Sequence, residues 1–117
     1  AWEMVSSVDL SVELWVDNLP IIRGVKDLLG AGVKPGATRR NISFVRSNMN
    51  IGNGVTPMDL DILGDPQTSG GLLLAVPEDK VDDFVRRLNE RGALASSVVG
   101  RVFKAEQSTV QIEKRST

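Results

Sequence analysis

Gly70 and Gly71 stand between a polar turn, Asp65-Pro66-Gln67-Thr68-Ser69, and an unbroken apolar run, Leu72-Leu73-Leu74-Ala75-Val76. No other junction in the chain constrains the fold as strongly. A short apolar run bounded by turn residues is expected to be a central strand covered on both faces. The paired glycines permit backbone angles closed to other residues and let a second group approach the main chain, while Thr68 and Ser69 add hydroxyls beside exposed amides. This local chemistry suits either a bound phosphate or a tight structural corner. A P-loop or dinucleotide fingerprint would place such a turn between a strand and a helix, with the helix N-terminus aimed at the anion. Here a strand is expected to follow, so no helix dipole is implied. A turn that launches a buried strand is the favoured local reading.

Periodicity supplies the neighbouring elements. Leu10, Val12, Leu14 and Val16 alternate with Ser11, Glu13 and Trp15, the pattern of a half-buried strand. Asn18-Leu19-Pro20 turns the chain, and Ile21, Ile22, Val25, Leu28 and Leu29 then recur at helical spacing until Gly30 and Gly32, which predicts a helix with its apolar face in the core. Thr38, with Asn41 three positions on, is placed to cap a short helix reaching Phe44 and Val45. Residues 47–57 hold Asn48, Asn50, Gly52, Asn53, Gly54 and Pro57 and predict a mobile surface loop. Met58, Leu60, Ile62 and Leu63 predict a short helix leading to Asp65. Val81, Phe84, Val85 and Leu88 predict a stronger one, with Glu78 and Asp79 at its start, Arg91 in its last turn and Gly92 as its stop. Residues 95–103 and 109–113 read as two strands joined by a polar turn. This order fits an α/β (α+β) domain, a mixed β-sheet covered by helices.

Composition narrows the function classes. With 117 residues, 41% of them hydrophobic, the chain is one domain's worth, able to bury about two thirds of its unfolded surface. It starts at Ala1 with no capping residue ahead of Trp2, so residues 1–7 are expected to be the remnant of a truncated helix. Its apolar runs reach about five residues where a membrane span needs roughly twenty, and no signal peptide is visible, so a soluble, cytoplasmic protein is expected. The chain has no Cys and no His, which excludes disulfides, thiolate chemistry, the commonest general base and the commonest soft-metal ligand. A net charge of −1, from 14 basic and 15 acidic residues, argues against a nucleic-acid or anionic-membrane surface.

Few side chains remain as candidates. Arg39 and Arg40 can present guanidinium forks to phosphate, or can be solvated at a helix start. Thr38 is open between a cap and a ligand. Asp65 could meet a magnesium ion, but an Asp before Pro more often initiates a turn. Asp59, Asp61 and Asp65 lack the further acceptors and glycine of a calcium loop. Trp2 and Trp15 read as packing residues, and Glu78, Asp79, Asp82 and Asp83 as a solvated helix face.

The run Asp-Pro-Gln-Thr-Ser-Gly-Gly-Leu-Leu-Leu-Ala-Val at residues 65–76 resembles the signature of selenophosphate synthetase (selenide, water dikinase). A second block, Gly32-Val33-Lys34-Pro35-Gly36-Ala37-Thr38-Arg39-Arg40-Asn41, is similar to that family's Gly-rich loop, with Ala37 where a second glycine is common. The resemblance covers nearly the whole chain but only the C-terminal domain of the enzyme, within the aminoimidazole ribonucleotide synthetase-like superfamily. It implies α/β/α layers with partial ferredoxin-like topology. It also implies an enzyme that converts selenide, ATP and water to selenophosphate, AMP and phosphate, in which this domain forms one wall of an interdomain cleft. On the resemblance, Thr38, Arg40, Asn41, Gln67, Thr68, Ser69, Gly70 and Gly71 line that cleft, Asp65 is a structural turn or lies behind it, and no catalytic residue or metal ligand is in this chain. ATP and Mg2+ are implied to be bound mainly by an absent N-terminal ATP-binding domain, the partner of this one. The full enzyme is expected to be a homodimer and this chain an inactive monomer with nothing bound. The alternatives are another enzyme of the superfamily, acting on a ribonucleotide, thiamine phosphate or carbamoyl substrate, or a non-catalytic binding or assembly module.

Overall fold

Residues 1–116 are described by the computed structural model, and the alternation at residues 10–16 shows in it directly. Strand β1 (Leu10–Trp15) points Val12 and Leu14 into the core, and Val16 follows them. It runs antiparallel to β3 (Gly100–Lys104), with Leu10 opposite Lys104 and Leu14 opposite Gly100. On its other side β1 runs parallel to β4 (Val110–Glu113), which is parallel in turn to the short β2 (Met49–Ile51). The result is a mixed four-stranded sheet in the order β2-β4-β1-β3.

One face of the sheet carries the core. Val5, Val12, Leu14, Val16, Val110 and Ile112 form a buried cluster, and Trp2, Leu10, Val45, Met49, Val55, Leu60 and Leu63 pack against it. Each fully buried aliphatic side chain here contributes roughly 1.5–3 kcal/mol. Of the covering residues, Trp2 comes from α1 (Trp2–Val5), Val45 from α3 (Ala37–Val45) and Leu60 and Leu63 from α4 (Pro57–Leu63), while Leu10 and Met49 belong to β1 and β2 and Val55 to the loop before α4. Helix α4 starts with a full capping box: the Thr56 hydroxyl accepts from the Asp59 amide at 3.2 Å and the Asp59 carboxylate accepts from the Thr56 amide at 2.8 Å, with Pro57 leading the helix. Helix α5 (Val81–Glu90) starts later than expected: Glu78 and Asp79 lie in a 3-10 turn before it, its first-turn acids are Asp82 and Asp83, and Arg91 is its C-cap, while a surface ladder joins Asp83 with Arg86 and Arg87, and Arg86 with Glu90.

The opposite face of β1 is polar and knitted together. Trp15 Nε1 donates to Glu13 at 2.6 Å, Arg101 pairs with the same carboxylate at 2.9 Å, and the Arg115 guanidinium lies 4.3 Å from the Trp15 ring. The hydrogen bonds from Trp15 and then Arg101 hold the Glu13 carboxyl below its ordinary range. Ser11 is fully buried, because its hydroxyl reaches the Gln107 carbonyl and Thr109 while accepting from the Thr109 amide.

Several expectations need correction. Residues 72–76 form no strand, and Leu72, Leu73 and Leu74 are 87, 44 and 52% exposed. A doubly covered strand needs a central place in the sheet; β1 and β4 occupy both, which leaves only the outer edges of β2 and β3, and the apolar run joins neither. The helix expected from Ile21 starts later, as α2 (Val25–Gly30), because Gly24 at φ 90° breaks the chain before it. Its apolar face is not core: Ile22 and Leu28 are 76 and 55% exposed. Within the expected loop at 47–57 lies β2, whose Met49 and Ile51 pair with β4. The strand expected from residue 95 begins only at Gly100, and Thr38 lies inside α3, whose N-cap is Gly36.

Candidate functional site

The first block approaches α3 through a tight turn in which the Thr38 amide donates to the Pro35 carbonyl at 3.2 Å. Lys34 Nζ meets the Asp61 carboxylate at 3.0 Å and ties this approach to α4. Inside α3, Thr38 turns inward and is 1% exposed, and its Oγ1 has no hydrogen-bond partner. Arg39 and Arg40 are exposed, and neither has a carboxylate partner among the described residues. Asn41 Nδ2 donates to the Gly64 carbonyl at 2.8 Å.

That last bond brings the two blocks together. Gly64 ends α4 and is itself buried; a Cβ there would stand 2.8 and 2.9 Å from Ile42 side-chain atoms and 3.0 Å from the Thr38 carbonyl oxygen. The chain then leaves as residues 65–71, all exposed. Gln67 Nε2 lies 3.4 Å from Asp65 Oδ2, and a Cβ at Gly70 would stand 2.9 Å from Gln67 Oε1, so the Gln67 side chain folds over both ends of the turn. Around Gly71 there is open space.

Sequence reasoning missed Gly64 and the Lys34–Asp61 pair. Gly64 reads as an ordinary helix stop, and the only signal of its tighter role is its place directly before Asp65. Among the described residues there is no group of three or more Asp, Glu, His or Cys that could hold a metal ion. Two open depressions, of about 390 and 420 Å3, lie against Trp2, Asp9 and Ser108 and against Val16, Ile22 and Lys26, away from both blocks. No helix among the described residues is long and apolar enough to cross a membrane.

No protein-family model matches the chain. It is similar to the selenide, water dikinase of Caldanaerobacter subterraneus subsp. tengcongensis, 33% identical over 112 residues that make up 96% of this chain and 32% of that protein. The chain belongs to the selenide, water dikinase family. Selenide, water dikinase 2 of Peptoclostridium acidaminophilum is 34% identical over 94% of this chain and 31% of its own length. The selenide, water dikinase of Nitratidesulfovibrio vulgaris (strain Miyazaki F) is 36% identical over 87% of this chain and 29% of its own length. The chain thus spans about a third of the curated relatives it matches, the extent of one domain of a selenide, water dikinase.

Proposed function

We propose that this chain is the C-terminal domain of a selenide, water dikinase and builds one wall of the cleft in which selenide, ATP and water give selenophosphate, AMP and phosphate. The observation that carries the reading is the joining of the two sequence blocks through Asn41 and Gly64. It sets the exposed Arg40, which has no carboxylate partner among the described residues, on the same helix that grips Gly64, the residue from which the hydroxyl- and glycine-rich stretch 65–71 leaves. Guanidinium forks and backbone amides suit phosphate oxygens, and a wall of fixed donors stabilises charge without reorganising water. Thr38 and Asn41 stand in this wall behind Arg40.

The nucleophile, the nucleotide and any Mg2+ belong, on this reading, to an N-terminal ATP-binding domain outside this chain. Leu28 and Val33, both exposed and joined by the Val33 amide on the Leu28 carbonyl, offer an apolar surface for that domain. The enzyme would work in the cytoplasm as a homodimer held mainly by the other domain, with this one monomeric by itself and bound to no nucleic acid.

Selenide-dependent AMP release by the full-length protein tests the assignment, with Arg40→Ala and Gly70→Ala variants and this chain alone in parallel. Activity in the parent, loss in both folded variants and silence in the chain alone are expected. A parent that binds ATP but releases no selenide-dependent AMP points instead to another substrate of the aminoimidazole ribonucleotide synthetase-like superfamily. A parent that binds no ATP points to a non-catalytic assembly role.

A further inference from the structure

Helix α3 and the turn at residues 65–71 meet through Gly64, which is gripped in two ways. Its carbonyl accepts the Asn41 carboxamide at 2.8 Å, and its Cα faces Ile42 and the Thr38 carbonyl too closely to admit a methyl group. Asp65 follows directly, so the position of Gly64 sets where the turn starts. Asn41 Nδ2 gives one of its two N–H donors to Gly64, and its Oδ1 is an acceptor that repels a phosphate oxygen. The bond it makes is to the backbone, which fits a role in holding the chain.

We propose that Asn41 is a positioning residue: through the Gly64 carbonyl it holds the 65–71 turn beside α3, so that the turn and Arg40 address one phosphate group together. The inference rests on the reading of these blocks as a phosphate-binding wall. It separates the residues into two roles, Arg40 and the turn making contact and Asn41 fixing their spacing. Asn41→Ala deletes the bond, and Asn41→Asp sets an acceptor against the Gly64 carbonyl while keeping the side chain's shape.

The test uses the full-length protein, with ATP and inorganic phosphate as probes in titration calorimetry and amide exchange read at Gly64 and Asp65, whose amides donate to the Leu60 and Ile62 carbonyls at 2.9 and 3.3 Å. In Asn41→Ala, exchange at these two amides should rise about three- to tenfold, the equilibrium worth of one hydrogen bond, and ATP binding should weaken by a similar factor. Exchange in β1 and β4 should stay at the parent's level. The binding losses of Asn41→Ala and Gly70→Ala should not add, since both act through the turn. Weakened binding with unchanged exchange at Gly64 and Asp65 would make Asn41 a direct ligand and overturn the proposal, as would faster exchange with unchanged binding. If Asn41→Asp fails to fold, Asn41→Ala decides. Should Arg40→Ala and Gly70→Ala both leave probe binding intact, the wall reading itself falls and takes the proposal with it.

Discussion

Replacing Gly100 with alanine puts a methyl group where β3 lies against β1. An ideal Cβ at this position falls on the Glu13 carbonyl oxygen, 3.1 Å from the Glu13 carbonyl carbon and 3.3 Å from the Leu14 Cα. All three are backbone atoms, so no rotamer change relieves the collision and the ladder itself must open. Overpacking of this kind costs about 1–3 kcal/mol. Each ladder hydrogen bond lost adds about 1 kcal/mol. Against this, alanine restricts the unfolded chain and returns about 0.4–1 kcal/mol. The balance is a destabilisation of about 2–4 kcal/mol. Gly52→Ala is the matched control: there the Cβ meets only the Glu113 carboxylate, with its Cδ at 2.7 Å, and that side chain can swing away. Its expected effect is within about 0.5 kcal/mol of the parent. Urea unfolding followed by circular dichroism and tryptophan fluorescence measures both, with amide exchange at residues 101–104 locating the damage. Equal midpoints for the two variants would show that β3 does not lie against the β1 backbone as described.

Ile112→Ala empties the best-buried aliphatic position and should cost about 2–5 kcal/mol in the same assay, whereas Leu94→Ala, at a fully exposed site, should move stability by less than about 0.5 kcal/mol. Thr38→Val replaces a buried hydroxyl that lacks a partner and should leave stability unchanged or raise it by about 1 kcal/mol; a loss larger than that in thermal melts would mean the hydroxyl is satisfied in solution. The Asp17 carboxyl is pushed down to about 2 by hydrogen bonds from Ser116, through its side chain and amide, and then from the Arg115 amide. Its folded value lies below the ordinary 3.8, so the clasp is complete above that value and is lost as pH falls through about 2. Protection of the Arg115 and Ser116 amides, taken relative to the intrinsic exchange rate at each pH, should therefore fall across this acid window, and Asp17→Asn should abolish that change in protection.

What could be seen in the sequence depended on how local its cause was. The period of two at residues 10–16 acts within a few residues and is legible, as is the apolar spacing of Met58, Leu60, Ile62 and Leu63; the Thr56–Asp59 capping box that starts α4 is just as local, yet Pro57 reads as the end of a loop. Residues 72–76 look like a strand for the same local reason, yet a central strand also needs a central place in the sheet, and residues 110–113 take the one beside β1. Asn48, Asn50 and Gly52 hid β2 because turn composition outweighed the single alternation of Met49 and Ile51. Ser11 looked solvent-facing because its partners, Gln107 and Thr109, lie at the far end of the chain. At the candidate site, residue types pointed to Arg40 and the 67–71 turn. The bond between Asn41 and Gly64 spans 23 positions and carries no local pattern.

The two central strands also dictate an order of events. β1 and β4 are drawn from opposite ends of the chain, and the Ser11–Thr109 contact spans 98 positions. During synthesis, Val12, Leu14 and Val16 emerge long before Val110 and Ile112, the residues that shield them. Pairings so distant are slow to form, because the loop between them must be closed before any contact rewards it. The nascent chain therefore carries an uncovered apolar strand until residues 110–113 have left the ribosome, and that interval, more than the final stability, sets its exposure to aggregation and its demand for a chaperone.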